Sequence, residues 1–199
     1  KVHEVDHHLA HAASAYYNSG FENTNAIVLD GQGEEVTITL YNITDNNWSI
    51  LGQSFWPNSL GILYLKATEH LGYKLGDEYK VMGMSAFGKD NFNQIFNGST
   101  KIDEHGSLTF LKNGFIEFED IPNTAHRSLK FTNKIDEIIP KPKNKNFNQN
   151  HFDFAKSLQT KIENIGLEFS DYLFEKNKVK NMCLSGGVAL NGLMNNKIL

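Results

Sequence analysis

The sequence is poor in cysteine, in excess positive charge and in long apolar runs. Its 199 residues contain one cysteine, Cys183. One cysteine excludes an intrachain disulfide framework and fits a reducing compartment, so we expect a cytoplasmic protein. Cys183 lies in a predicted strand, where it is expected to be a small buried hydrophobe.

Basic residues do not outnumber acidic ones. Nineteen lysines and arginines stand against 23 aspartates and glutamates, which gives a net charge of −4. A general nucleic-acid or membrane-surface binder needs a basic face, so we expect neither partner. The sequence also has no apolar run of transmembrane length and no secretory signal at its start.

The composition is that of a folded domain. Hydrophobic residues make up 40% of the chain and aromatic residues 12%, enough for one large domain or a domain and a half. The chain starts at Lys1, close to a predicted helix cap, and stops at Leu199 inside a predicted helix. We therefore expect a piece of a longer protein.

Three histidines lie in the first half of the first predicted helix, residues 7 to 18. Asp6 can cap it, and the alanines that follow favour it. His7 and His11 are four residues apart and share one helix face, where two imidazoles can bind one divalent metal ion. His8 points about a quarter-turn away and is not predicted as a ligand. The alternative is a helix that merely carries histidines.

Three antiparallel strands are predicted next, at residues 26–29, 36–40 and 48–51. The first ends in Asp30-Gly31-Gln32-Gly33-Glu34, which places two carboxylates beside a backbone with little side-chain bulk. This arrangement resembles the phosphate-binding hairpin of actin-like ATPases. An ordinary hairpin turn is the commoner use of Asp-Gly and remains the alternative.

The rest of the chain gives coarser signals. Periodicity predicts helices after Gly61 and over residues 151–177, and a strand at 179–184 followed by Ser185-Gly186-Gly187 and a helix start. Shorter signals predict a strand at 2–5, a hairpin over 108–118, and a surface loop entering a buried short helix within residues 77–84. They also predict surface positions for His105, His126 and His151. The composition of residues 140–146 indicates a solvated, lysine-rich connector.

The Gly186-Gly187 turn could receive phosphate or ribose oxygens. Glycines allow close backbone approach, a helix start presents N–H groups, and Asn191 can donate and accept hydrogen bonds. The segment lacks the lysine of a Walker A loop and the spacing of a dinucleotide fingerprint. By itself it is a weak signal.

Five motifs taken together resemble those of the NodU/CmcH-type O-carbamoyltransferases. They occur in order along nearly the whole chain, outside residues 98–150. They are HHLAHAASAY (7–16), DGQGE (30–34), SLGILY (59–64), EYKVMG (78–83) and CLSGGVALN (183–191). The resemblance implies an α/β fold, a partial actin-like ATPase (ASKHA) domain with a mixed sheet and flanking helices.

The resemblance also implies an activity. Family members use ATP to convert carbamoyl phosphate into carbamoyl adenylate, and they pass the carbamoyl group to a hydroxyl on a sugar or natural product. Carbamoyl phosphate and a hydroxyl-bearing acceptor are therefore the expected substrates, and a homodimer is an open option. Two alternatives remain: an enzyme like the tRNA threonylcarbamoyl transferase, whose tRNA surface the charge does not favour, or a non-catalytic nucleotide- and metal-binding module.

Carried over position by position, the resemblance implies a site. His7, His11 and Asp30 would be catalytic metal ligands, for Fe(II) first and Zn or Mn as alternatives, while Mg would accompany ATP. Seven positions would line the nucleotide cleft: Gly31, Gly33, Gly61, Lys80, Gly186, Gly187 and Asn191.

Parts of the family pattern fall outside this sequence. The resemblance places the N-terminal lobe portion before the histidine helix and the C-terminal domain that forms carbamoyl adenylate beyond Leu199, so we expect neither within these residues. A further metal-binding aspartate would lie beyond Leu199. We therefore expect residues 1–199 to form a fragment of the nucleotide- and metal-binding domain, inactive alone, with a peripheral insertion at about 98–150.

Overall fold

The computed structural model describes residues 2–199 and contains seven α-helices and eight strands within that range. The helices are α1 His7–Ser19, α2 Leu60–His70, α3 Glu78–Ser85, α4 Asn93–Phe96, α5 Lys134–Ile138, α6 Gln149–Asn177 and α7 Gly192–Ile198. The strands are β1 Asn23–Gly33, β2 Val36–Thr44, β3 Asn47–Phe55, β4 Thr100–Ile102, β5 Leu108–Phe110, β6 Ile116–Asp120, β7 Arg127–Phe131 and β8 Met182–Ser185. Residues 187–190 form a 3₁₀ turn between β8 and α7.

A four-stranded mixed sheet organises the part of the chain that carries the histidines. Its order is β3-β2-β1-β8, with β1–β3 antiparallel and β8 parallel to β1. The apolar run of β1 is completely buried, as its sequence predicts. The predicted α/β architecture with a mixed sheet is confirmed, although each of the first three strands extends beyond its predicted range.

Helix α1 packs on this sheet through its small and aromatic residues. The Asp6 carboxylate accepts a hydrogen bond from the Leu9 amide at 2.8 Å, and Gly20 ends the helix with a φ of 74°. One buried cluster joins helix and sheet: Ala12, Tyr16, Ala26, Val28, Tyr41, Ile43 and Cys183. The predicted helix and the buried Cys183 are both confirmed, whereas residues 2–5 form no strand.

The chain divides into two compact units. The first comprises residues up to Gly61, Ile102–Leu108 and Gly166–Leu199, and it holds the mixed sheet. The second comprises Ile62–Lys101 and Thr109–Ile165. Helix α6 contributes residues to both, and its predicted core positions are buried: Phe154, Ala155, Leu158, Ile162, Ile165, Phe169 and Leu173. Within residues 2–199, no helix is both long and apolar enough to cross a membrane.

Strand pairing in the middle of the chain differs from the sequence prediction. Leu108–Phe110 and Ile116–Asp120 do not form one hairpin; the first pairs with β4 and the second with β7. Asn113 explains the difference. Its side-chain oxygen accepts from the amides of Phe115 and Ile116, and its NH₂ group donates to the carbonyls of residues 95 and 97. The turn therefore separates two hairpins. Whether residues 98–150 are an insertion stays a prediction.

His151 was expected at the surface and is buried. Its Nδ1 accepts from the Asn148 amide at 2.9 Å, and its Nε2 donates to the Pro140 carbonyl at 2.8 Å. The ring thus ties the start of α6 to the connector before it. A single sequence does not reveal such a contact, because the spacing of His151 fits a solvent face equally well.

His70 should make the second unit sensitive to acid. It is buried, and its Nε2 donates to the Ile139 carbonyl at 2.8 Å. Burial lowers the pKa of His70 below its usual value near 6.5. The unfolded chain therefore binds the proton more readily, and folding stability should fall as pH drops below about 6.5 towards the lowered pKa of the folded state.

Denaturant unfolding between pH 7.5 and pH 5 measures this effect. We expect His70→Gln, whose amide can still donate to Ile139, to reduce the loss of stability on acidification. His126→Gln changes an exposed histidine and should leave the pH dependence as in the unaltered chain. Equal slopes for the unaltered chain and His70→Gln would contradict the assignment.

Candidate metal centre

Two histidines and one aspartate converge where α1 meets the end of β1. His7 Nε2 lies 2.8 Å from Asp30 Oδ2, and His11 Nε2 lies 3.4 Å from the same oxygen. The two rings are 4.7 Å apart between centroids. The helical spacing of the histidines and the position of Asp30 on β1 thus bring two neighbouring residues of α1 together with a third that is distant in sequence. We call these three residues the His–Asp cluster.

Two backbone amides donate hydrogen bonds to one oxygen of the Asp30 carboxylate. Its Oδ1 accepts from the Gly31 amide at 2.7 Å and from the Gly187 amide at 3.3 Å. Burial alone raises the pKa of Asp30, but hydrogen bonds from His7 and from the two amides outweigh burial, so the pKa lies below its usual value. Asp30 is therefore ionised at neutral pH, and its Oδ2 faces the two imidazoles.

The donor set of the cluster fits a divalent transition metal. The three ligand atoms all lie within 4.8 Å of one another. Metals with bonds of about 2.0–2.2 Å to nitrogen and oxygen place neighbouring ligand atoms roughly 3 Å apart. Imidazole nitrogen with carboxylate oxygen suits iron, zinc or manganese better than calcium. His7 Nε2 donates to Asp30 Oδ2, and a cation bound by these residues would take the place of that proton.

His8 has a structural position that the sequence did not reveal. It is 1% exposed, its Nδ1 lies 2.8 Å from Thr39 Oγ1, and burial lowers its pKa, so the ring is neutral. Within residues 2–199 its Nε2 has no hydrogen-bond partner. A Cβ on Gly33 would lie 2.8 Å from that nitrogen and 2.6 Å from the His7 ring. Gly33 therefore lets α1 lie directly on the hairpin, and His8 anchors the helix.

The glycine turn, residues 185–188, lies beside Asp30. The parallel register pairs Val28 with Ser185, which carries the next residues past the end of β1. Gly186 has a φ of 92°, and a Cβ on it would lie 2.3 Å from the Leu29 carbonyl oxygen. The helix start predicted after the glycines is a 3₁₀ turn, and α7 begins only at Gly192. Asn191 caps α7 by accepting from the Met194 amide at 3.0 Å.

Two further predicted positions lie against Asp30. A Cβ on Gly61 would lie 2.7 Å from the Gly31 Cα, so these two backbones touch. Ser59 is buried and donates from its hydroxyl to the Gly31 carbonyl at 2.6 Å. The structure therefore brings Gly31, Gly61 and Gly187 together around the aspartate.

Lys80 belongs to the second unit. Its ammonium group pairs with Asp77 Oδ1 at 2.6 Å and lies 5.5 Å from the ring centroids of both Tyr73 and Tyr79. The Asp77 side chain raises the pKa of Lys80, which stays charged. A role for Lys80 in nucleotide binding stays a prediction.

Comparisons with known proteins give one family. A family model described as "Carbamoyltransferase N-terminus" matches residues 1–199. The chain is 33% identical over 200 residues to Nodulation protein NolNO of Sinorhizobium fredii, an alignment that covers 98% of this chain and 27% of that protein. It is 30% identical over 195 residues to the uncharacterized protein sll1178 of Synechocystis, covering 98% and 31%.

A third relative also matches nearly the whole of this chain over only part of its own length. Nodulation protein NolO of Bradyrhizobium diazoefficiens is 29% identical over 199 residues, covering 98% of this chain and 33% of that protein. The chain thus spans about a third or less of the length of these curated relatives.

Proposed function

Because the chain belongs to the carbamoyltransferase family, whose N-terminal model it matches from end to end, we propose that it forms the nucleotide- and metal-binding part of an ATP-dependent O-carbamoyltransferase. The observation that carries this proposal is the His–Asp cluster, whose carboxylate is oriented by the backbone of the glycine turn. The proposed cation site and the proposed nucleotide-binding turn would then share the Asp30 side chain.

We propose that the fold is part of an actin-like ATPase domain. Three consecutive antiparallel strands followed by a parallel strand beside the first support this assignment. So does the position of Asp30 near the end of β1, in the Asp-Gly segment that follows the buried run. The family resemblance of the DGQGE and SGG segments points to the same fold.

Each part of the site has a proposed task. His7, His11 and Asp30 hold the metal, proposed as Fe(II) with Zn or Mn as alternatives. When bound, the cation supplies positive charge that polarises a phosphate or carbamoyl oxygen. The glycine turn is proposed to let substrate oxygens approach the backbone closely. Gly33 and Gly61 allow close packing of the segments around Asp30, and Asn191 fixes the start of α7.

The proposed overall reaction is carbamoyl transfer. An acceptor hydroxyl oxygen bonds to the carbonyl carbon of carbamoyl adenylate, and the bond from that carbon to the phosphate oxygen breaks. The leaving AMP keeps the electron pair, and the hydroxyl proton is released. The proposed sources of the adenylate are carbamoyl phosphate and Mg-ATP, and the acceptor is a sugar or natural-product hydroxyl. The residues of this chain would bind and orient the adenylate.

Nucleotide binding by the full chain tests the proposal. We expect the non-hydrolysable analogue AMP-PCP with Mg²⁺ to bind in isothermal titration calorimetry. Lys80→Met should weaken this binding by about 10- to 100-fold, since a charge-assisted contact to phosphate contributes about 1.5–3 kcal/mol. Lys112→Met replaces an exposed lysine of the second unit and should bind as the unaltered chain does. A folded chain that binds no AMP-PCP would contradict the nucleotide assignment.

A further inference from the structure

We infer that Gly187 is a positioning residue for the cation ligand Asp30, so that the glycine turn, as well as α1, sets the cation affinity of the His–Asp cluster. This inference rests on the proposed metal site. It deepens that proposal by joining two segments that lie 157 residues apart in the sequence.

The carboxylate of Asp30 has two oxygens with separate tasks. Oδ1 accepts from two backbone amides, Gly31 at 2.7 Å and Gly187 at 3.3 Å. Oδ2 is directed at the two imidazoles, at 2.8 Å and 3.4 Å. The amides therefore fix the torsion of the carboxylate about its Cβ–Cγ bond, and with it the angle at which the second oxygen faces the cation position. Without one of them, the carboxylate could turn about its Cβ–Cγ bond.

Gly187 can act in this way only because it lacks a side chain. A Cβ at this position would lie 3.1 Å from Asp30 Oδ1, closer than ordinary contact between these atoms. Oδ1 cannot yield freely, because the short bond from the Gly31 amide holds it. Relief therefore requires a small rotation of the carboxylate that strains the Gly31 bond and also displaces Oδ2 relative to His7 and His11.

The glycine turn has little freedom to move away from Asp30 and so relieve this contact. β8 pairs in parallel with β1 from Asn25 to Val28, so the turn is fixed to the strand that carries Asp30. A Cβ on the preceding Gly186 would already lie within 2.3 Å of the Leu29 carbonyl oxygen. The position of the Gly187 amide relative to Asp30 is therefore set by the sheet. By reciprocity, a ligand that displaces this turn changes cation affinity, and a bound cation changes the affinity of that ligand.

Titration of Co²⁺ into the full chain, followed by its visible absorption, tests the inference. We expect Gly187→Ala to weaken Co²⁺ binding by about 10-fold or more, the range found when groups that orient a metal ligand are altered. Its thermal unfolding midpoint without metal should stay close to that of the unaltered chain, since residue 187 does not have a positive φ. Gly192→Ala is the matched control, because a Cβ there meets no atom within 4 Å.

A second measurement needs no change at Gly187. During Zn²⁺ titration of the unaltered chain, the amide resonance of Gly187 should shift with the saturation curve of the metal, and this shift should vanish in Asp30→Asn. The amide of Gly192 should not shift. A folded Gly187→Ala with unaltered Co²⁺ affinity, or a Gly187 amide that ignores Zn²⁺, would overturn the inference. If Asp30→Asn itself binds Co²⁺ as well as the unaltered chain, the metal centre of the proposed function is wrong.

Discussion

Replacing Asp30 by asparagine should weaken divalent-metal binding by about 100-fold or more while leaving the fold intact. The magnitude exceeds the 10- to 100-fold losses typical of altered outer-shell partners, because Asp30 would be a direct ligand. The reason lies in the two amides behind the side chain. Both Gly31 and Gly187 donate to Oδ1, so an asparagine must place its carbonyl oxygen there.

This orientation determines which atom of the asparagine faces the histidines. The NH₂ group of the asparagine then takes the position of Oδ2, facing His7 and His11. An amide nitrogen has no lone pair available for a metal, but it can donate to an imidazole nitrogen. The variant therefore loses one ligand and one negative charge and retains its hydrogen bonds. Isosteric substitution with all polar groups satisfied should change stability little.

Calorimetric titration with Co²⁺ or Zn²⁺ and thermal unfolding of the metal-free chain measure the two effects. Asp120→Asn, an exposed aspartate of the second unit, is the control for loss of one negative charge and should bind metal normally. Metal binding that persists in a folded Asp30→Asn would show that the cation lies elsewhere. A large loss of stability without metal would show that Asp30 is a structural residue first.

Replacing Gly186 by alanine should lower the thermal unfolding midpoint by roughly 8–16 °C, for a loss of about 4 kcal/mol at about 2–4 °C per kcal/mol in a chain of this size. Gly186 has a φ of 92°, where an L-residue is strained by about 1–3 kcal/mol. The added Cβ would also lie 2.3 Å from the Leu29 carbonyl oxygen, an overlap with backbone that cannot rotate away. Overpacking of this kind adds about 1–3 kcal/mol.

Differential scanning calorimetry of the metal-free chain measures this loss, and Gly192→Ala is again the comparison. Alanine at position 192, inside α7, meets no neighbour and should be neutral or stabilising. A midpoint for Gly186→Ala within 2 °C of the unaltered chain, on the same scale, would mean that β1 and the glycine turn separate easily. The glycine turn would then give Asp30 no rigid support.

Local patterns were sufficient for the elements that build the candidate site. Asp6, the alanines and the histidine spacing predict α1, and the apolar run from Ala26 to Leu29 predicts a buried strand. Both are confirmed. The periodicity of residues 151–177 predicts the long α6, whose observed range is Gln149–Asn177. These predictions succeed because helix and strand periods are properties of neighbouring residues.

The failures concern contacts that form only after the chain folds back. The pattern of residues 108–118 predicts two strands, and both form, but the predicted pairing between them is wrong. The Asn113 side chain donates to the carbonyls of residues 95 and 97, and one closed hairpin does not form. His151 was assigned to the surface and is buried against Pro140. The sequence predicts that His8 is not a ligand, but it does not reveal that the His8 ring is buried against Thr39 of the sheet.

The sequence by itself determined that His7 and His11 share a helix face and that Asp30 follows a buried strand, because both follow from backbone periodicity. The tertiary structure decided the rotamer of the Asp30 carboxylate, and so the angle at which one of its oxygens faces the histidines. That choice depends on the amide of Gly187, which reaches Asp30 only through the parallel pairing of β8 with β1. Pairing between strands more than 150 residues apart depends on how the intervening chain folds, and no local pattern at either strand records it.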